Sequence, residues 1–132
     1  MQKSSTSLRA GQATSLSERV FKLDRRIRFC GTLDERGKVI SGGMRPGVKS
    51  LEPNDEAERV DLQMVLTRSM SESAQPYLGK ANYVIIHREN LMLAAMPRKD
   101  RKTVLVSAEP GFPLTKMKAL LRVVDKNYPD LM

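Results

Sequence analysis

Little in this chain is suited to covalent chemistry. Its 132 residues include one cysteine, one histidine and no tryptophan, and aromatics make up only 5%. A lone cysteine, Cys30, excludes an internal disulfide and fits a reducing compartment. A lone histidine, His87, without further cysteines or clustered carboxylates cannot assemble a zinc site, which takes three or four ligands. Scarce aromatics leave few platforms for stacking single-stranded bases. No apolar run approaches the roughly 18 residues of a membrane-crossing helix. The N-terminus lacks the apolar stretch of a signal peptide. These absences place the chain in the cytoplasm.

What is present is charge and a foldable apolar pattern. Hydrophobic residues make up 40% and charged residues 29%. A chain of this size buries roughly two thirds of its unfolded surface, enough for one domain with a true core. The net charge of +8 favours acidic partners, whether nucleic acid, anionic lipid or an acidic protein, and serves plain solubility equally well.

The chain is organised around residues 27–43, IRFCGTLDERGKVISGG. This reads as a hairpin whose tight turn, Asp34-Glu35-Arg36-Gly37, ends on the glycine that supplies a positive φ. Alternation places Ile27, Phe29, Gly31 and Leu33 on one face. Residues 1–14 are rich in Ser, Thr and Gln, lack acids, and read as a disordered tail before a single domain over 15–132. Ser15 and Glu18 fit a capping box that opens a helix of about ten residues. Asn54, Asp55 and Glu56 after Pro53 open a second helix. Its apolar residues, Ala57, Val60, Leu62, Met64, Val65, Leu66 and Met70, cover more than one stripe, so this helix needs cover on more than one side. Three strands follow, over 81–87, 91–96 and 103–108. A last helix begins after Pro113 and has a clean apolar face of Leu114, Met117, Leu120, Leu121 and Val124. The predicted order is α-β-β-α-β-β-β-α. It describes an α+β protein with a five-stranded antiparallel sheet flanked by three helices.

This order, with the hairpin phrase above and the phrase LVSAEP at 105–110, resembles the roadblock/dynein light chain fold, a profilin-like domain. The two phrases are also similar to an uncharacterised group of small archaeal proteins. The resemblance implies a strand order of 2-1-5-4-3, with the third strand at an edge. It implies a non-catalytic homodimer joined through that edge and the middle helix, which regulates small GTPases or acts as a scaffold. Tyr83, Ile85, Leu62, Val65 and Leu66 are the residues then expected at the dimer interface.

The remaining candidates are weighed residue by residue. Cys30 has no histidine near it in sequence and no nucleophile signature, so it reads as a small buried hydrophobe; Arg28, two residues away, is the one neighbour placed to lower its pKa. His87 reads as a plain sheet residue, with cofactor holding or pH sensing as the alternative. Gly42, Gly43 and Gly47 do not form a phosphate loop, because no Lys-Ser/Thr and no immediate helix follow. No catalytic, cofactor or metal residue is assigned, and the chain does not read as an enzyme. Arg98, Lys99, Arg101 and Lys102 form a basic run suited to an acidic partner, with Arg25, Arg26 and Arg28 as a second cluster. The functional expectation is a homodimeric regulatory or scaffold module, with a small GTPase or another acidic protein as partner. The alternatives are a basic nucleic-acid-binding accessory protein and a small-ligand sensor.

Overall fold

The two hydrophobic periods, two and helical, resolve into one sheet with helices on both faces. The computed structural model describes residues 15–125. In it α1 (Ser15–Phe21) leads into β1 (Ile27–Leu33) and β2 (Val39–Met44). Then come α2 (Asn54–Met70), the four-residue α3 (Gln75–Leu78), β3 (Val84–His87), β4 (Met92–Pro97), β5 (Thr103–Ala108) and α4 (Met117–Val124). The strands lie in the order β2-β1-β5-β4-β3, and every neighbouring pair is antiparallel. Element order and strand order are those expected, and β3 is at an edge. The differences lie at the ends: α1 has seven residues, β3 starts at Val84 rather than 81, and α3 is an addition. The expected tail over 1–14 lies outside the described residues, as does the Ser15 side chain of the expected capping box.

The sheet separates two cores. Val20 and Phe21 of α1 pack with Met117, Leu120, Leu121 and Val124 of α4 against Ile27, Cys30, Met92, Ala94, Val104 and Val106. On the opposite face Met64 and Val65 of α2 cover Phe29, Leu33, Leu93, Ala95 and Leu105. Strict alternation fails twice. The register of β1 on β2 shifts between Thr32 and Leu33. The register of β1 on β5 shifts between Ile27 and Phe29. One extra residue, Arg28, therefore turns Ile27 to the α1/α4 face while Phe29 and Leu33 stay beneath α2. Gly31 keeps the α2 face open for the Phe29 ring, since a Cβ there would sit 2.6 Å from a ring carbon.

A polar brace ties α1 and β1 to the start of α4. The Asp24 side chain is buried, and its carboxylate accepts hydrogen bonds from Arg26 Nε at 2.8 Å, Arg26 Nη2 at 2.7 Å and Lys116 Nζ at 2.8 Å. Arg45, just after β2, donates to the carbonyls of Ile27 (2.6 Å), Phe21 (2.8 Å) and Asp24 (2.7 Å), and its guanidinium lies 4.9 Å from the centre of the Phe21 ring. The Arg26 and Lys116 hydrogen bonds hold the Asp24 carboxyl well below the usual carboxylate range. The unfolded chain therefore takes up this proton at a higher pH than the folded chain. The brace contributes fully above about pH 4 and less as the pH falls below it. Asp24→Asn should cost about 1–3 kcal/mol near neutrality. The gap in urea midpoint between variant and parent should narrow at about pH 2–3. A gap of constant size across that range would show that the carboxylate charge contributes nothing.

Candidate interaction surface

The apolar pattern of α2 is inverted relative to an ordinary surface helix. Its sheet-facing side carries Ala57, Asp61, Met64, Val65 and Arg68, all buried, so two charged residues sit on the inner face. Arg68 is accommodated there because its Nε donates to Thr103 Oγ1 at 2.8 Å and its Nη1 pairs with Glu72 at 2.6 Å. Leu62, Leu66 and Met70 follow at four-residue spacing on the far side, 39%, 51% and 75% exposed. Three large apolar residues in one exposed row are surface that a soluble chain does not gain by leaving bare. Val65, expected at an interface with Leu62 and Leu66, is instead 2% exposed beneath the chain's own sheet. The helix turns it 100° or so from Leu66, onto the inner face. It is already used by the core and is corrected to a core residue.

The row continues into the connection to β3. Every residue over 71–80 is exposed, including all of α3, where Tyr77 and Leu78 point away from the fold. Beyond Gly79 the chain reaches Tyr83, which is also exposed and precedes the strand rather than lying in it. Within β3, Ile85 packs towards the α1/α4 core and Ile86 towards the α2 core. The strand pairs with β4 on one side and has no strand on its other side among the described residues. Val84, Ile85 and Ile86 bring neither charge nor proline to that edge, the devices that usually prevent strand addition.

The basic run at the β4–β5 turn does not act as one patch. Asp100 and Arg101 both take φ of 62°, and Lys102 N donates to Lys99 O at 3.3 Å. Two successive left-handed residues form the tight turn that matches strand twist. This geometry sends the four cations to different places. Arg101 reaches Glu35 of the β1–β2 turn at 3.4 Å. Lys102 is half-buried. Arg98 and Lys99 turn instead towards a recess of about 920 Å³ at the end of the sheet, which Lys80 and Arg19 also line. The second expected cluster is likewise dispersed: Arg26 is taken by Asp24, and Arg28 donates to the Lys49 carbonyl at 2.7 Å. Lys80 belongs to neither basic cluster of the sequence, because only the fold brings it beside the end of β4.

Sequence comparison finds no matching family model and no matching curated protein. Comparison of folds does find matches. A roadblock/LC7 domain from Streptomyces avermitilis superposes with a TM-score of 0.60 at 17% identity, over 84% of this chain and 92% of that one. This is a roadblock/LC7 fold. The gliding protein MglB from Thermus thermophilus gives a TM-score of 0.63 at 12% identity, over 96% of this chain and 95% of that one. MglB of Myxococcus xanthus gives 0.58 at 13% identity, over 85% and 90%. These matches lend nothing to the archaeal side of the resemblance.

Within this roadblock fold the other candidates lie apart from the exposed apolar row. Cys30 is buried in the α1/α4 core, and burial pushes its thiol up to about 12. The expected pull from Arg28 is absent; the cation that acts on the thiol is Arg98, and it is outweighed. A thiol held protonated in this way is an inert hydrophobe. His87 ends β3 with its Nε2 3.1 Å from the Pro110 carbonyl, a link between the sheet edge and the loop before α4. Among the described residues no three His, Cys, Asp or Glu side chains gather where a metal ion could sit, and no helix is long and apolar enough to cross a membrane. Gly42 and Gly43 belong to β2. A Cβ on Gly42 would lie 2.3 Å from the Cys30 carbonyl oxygen, so this glycine allows close strand approach and builds no phosphate loop.

Proposed function

We propose that this chain is a non-catalytic regulatory or scaffold module that works as a homodimer, with a small GTPase or another acidic protein as its partner. The observation that carries the reading is a pair of surfaces left uncovered among the described residues. One is the exposed row Leu62, Leu66 and Met70 on α2; the other is the bare edge of β3. A two-fold axis beside β3 joins two sheets edge to edge and sets two α2 helices against each other, so both surfaces are covered at once. Leu62, Leu66, Tyr83 and Ile85 then belong to the interface. The likeness to roadblock/LC7 and MglB structures, one of them MglB in a tetrameric arrangement at a TM-score of 0.53, supports a role in assembly. As a roadblock-like protein the chain is proposed to act on its partner by binding, in the cytoplasm, as a single domain over 15–132 with 1–14 as a tail.

Leu66→Asp is the direct test. The side chain is half in solvent, so the isolated fold should tolerate the change, and the melting temperature of the monomer should stay within the scatter of surface substitutions. In the dimer the same carboxylate would be buried without a partner, and association should weaken by about tenfold or more. Sedimentation should then show the unmodified chain as a dimer and the variant as a monomer. A monodisperse monomer of the unmodified chain at high micromolar concentration would overturn the assembly. The partner is tested separately, by pull-down of small GTPases loaded with either nucleotide; retention of none of them, in either state, removes that part of the proposal.

A further inference from the structure

The positive charge is unevenly placed. Residues 48–75, which include α2, carry six acids and three bases in a chain of net +8. The excess lies elsewhere, and part of it converges on the recess at the end of the sheet. That recess opens where the last turns of α2 and α4 meet the end of β4 and the approach to β3. Its cations are Arg19, Arg68, Lys80, Arg98 and Lys99, and its acids are Glu72 and Asp125.

Two of these cations are committed to the fold. Arg19 Nη2 donates to the Val123 carbonyl at 3.4 Å, at the C-terminal end of α4. Arg68 is held by Thr103 and by Glu72, which it neutralises in turn. Asp125 also has a partner. Lys80, Arg98 and Lys99 remain, all exposed, with no side-chain ion pair among the described residues. They come from two separated stretches of chain. Gly79, at φ 85°, turns the chain at the end of α3 and delivers Lys80; the β4–β5 turn delivers Arg98 and Lys99.

We propose that this recess binds a phosphate-bearing small molecule, its anionic groups held by Lys80, Arg98 and Lys99. Arg98 offers a planar fork suited to two phosphate oxygens, and the two lysines act as mobile point charges. The volume lies within the range of small-molecule sites. Pro97, Val123 and Val124 supply an apolar wall for the rest of the ligand. No described aromatic side chain lines it.

The test is calorimetric titration of the full chain with tripolyphosphate at near-physiological salt. A parallel arm uses phosphatidylcholine vesicles with and without a phosphoinositide. Lys80→Gln, Arg98→Gln and Lys99→Gln combined should weaken binding by about tenfold or more. A control with equal charge loss, Lys22→Gln, Arg36→Gln and Lys38→Gln, should stay within about twofold. All six positions are exposed, so both variants should melt near the parent. Binding to tripolyphosphate assigns a free ligand, and binding only to phosphoinositide vesicles assigns the phosphate to a lipid headgroup; both support the site. Equal losses in the two variants would reduce the effect to net charge and overturn it. So would failure of the unmodified chain to bind either probe.

Discussion

Truncating Leu105 to alanine should lower the unfolding free energy by about 2–5 kcal/mol, towards the upper end of that range. Leu105 is 1% exposed in β5, the middle strand of the sheet, on the face covered by α2. Its partners in register are Gly31 on β1 and Ala95 on β4. Neither has a side chain long enough to move into the space a shortened residue leaves. Leu105 also borders a small recess of about 20 Å³ beside α2, which Phe29, Met44 and Leu93 help to line and which opens to solvent at the exposed Leu51. Truncation enlarges a gap that is already there, and the cost of a cavity rises with its volume. Chemical denaturation checks this against Ile40→Ala. Ile40 is exposed on the edge strand β2, so its truncation should change stability by less than about 0.5 kcal/mol. Equal midpoints for the two variants would show that the α2-side core is not where the fold gains its stability.

The hairpin turn and the core leucines were legible because each rests on a local rule with one dominant cause, whereas the strand order came from the family resemblance and not from any residue pattern. Leu33, Leu93 and Leu105 lie inside apolar strands, and all three are buried. Gly37 closes the first hairpin with a φ of 83°, as a short loop demands. Two of the failures have a different cause, a contact distant in sequence, and the others come from local geometry that has no period to read. The face of Ile27 is decided by a shift against β5, some eighty residues away, and a bulge leaves no mark in an alternating pattern. The inner face of α2 holds Arg68 because β5 offers Thr103 to the guanidinium. With charge inside and leucine outside, the apolar residues of α2 cover more than one stripe, and the expectation that Val65 joins Leu62 and Leu66 at an interface rested on that width together with the resemblance. The basic run at 98–102 looked like one patch because neighbours in sequence were taken as neighbours in space. A turn with two left-handed residues divides it. The row from Leu66 to Tyr77 was half visible: the excess of apolar residues on α2 could be read, but the exposed α3 could not, since a four-residue helix has no period.

Gly37→Val should destabilise the fold by about 3 kcal/mol or more, and the reason joins the turn to the interaction surface. The φ of 83° alone makes a β-branched residue costly. A second penalty comes from α2. A Cβ on Gly37 would lie 2.8 Å from the Leu62 Cα and 2.9 Å from its backbone nitrogen. Helix backbone cannot yield as a side-chain tip can, so either the turn or α2 must move. Gly47 separates the two penalties, since its φ is also 83° but a Cβ there meets nothing within 4 Å. Gly47→Ala should therefore cost only the conformational part, about 1–2 kcal/mol, and Gly37→Ala clearly more. The difference between the alanine variants, read from denaturant midpoints, measures how tightly the hairpin turn seats α2. Leu62 is the first residue of the exposed apolar row, so a shift of α2 at this point also displaces Leu66 and Met70. Gly37 variants that remain folded should then associate more weakly than Gly47 variants of equal stability. If Gly37→Ala and Gly47→Ala cost the same and associate alike, the turn does not position α2, and the row must be held in place by the sheet alone.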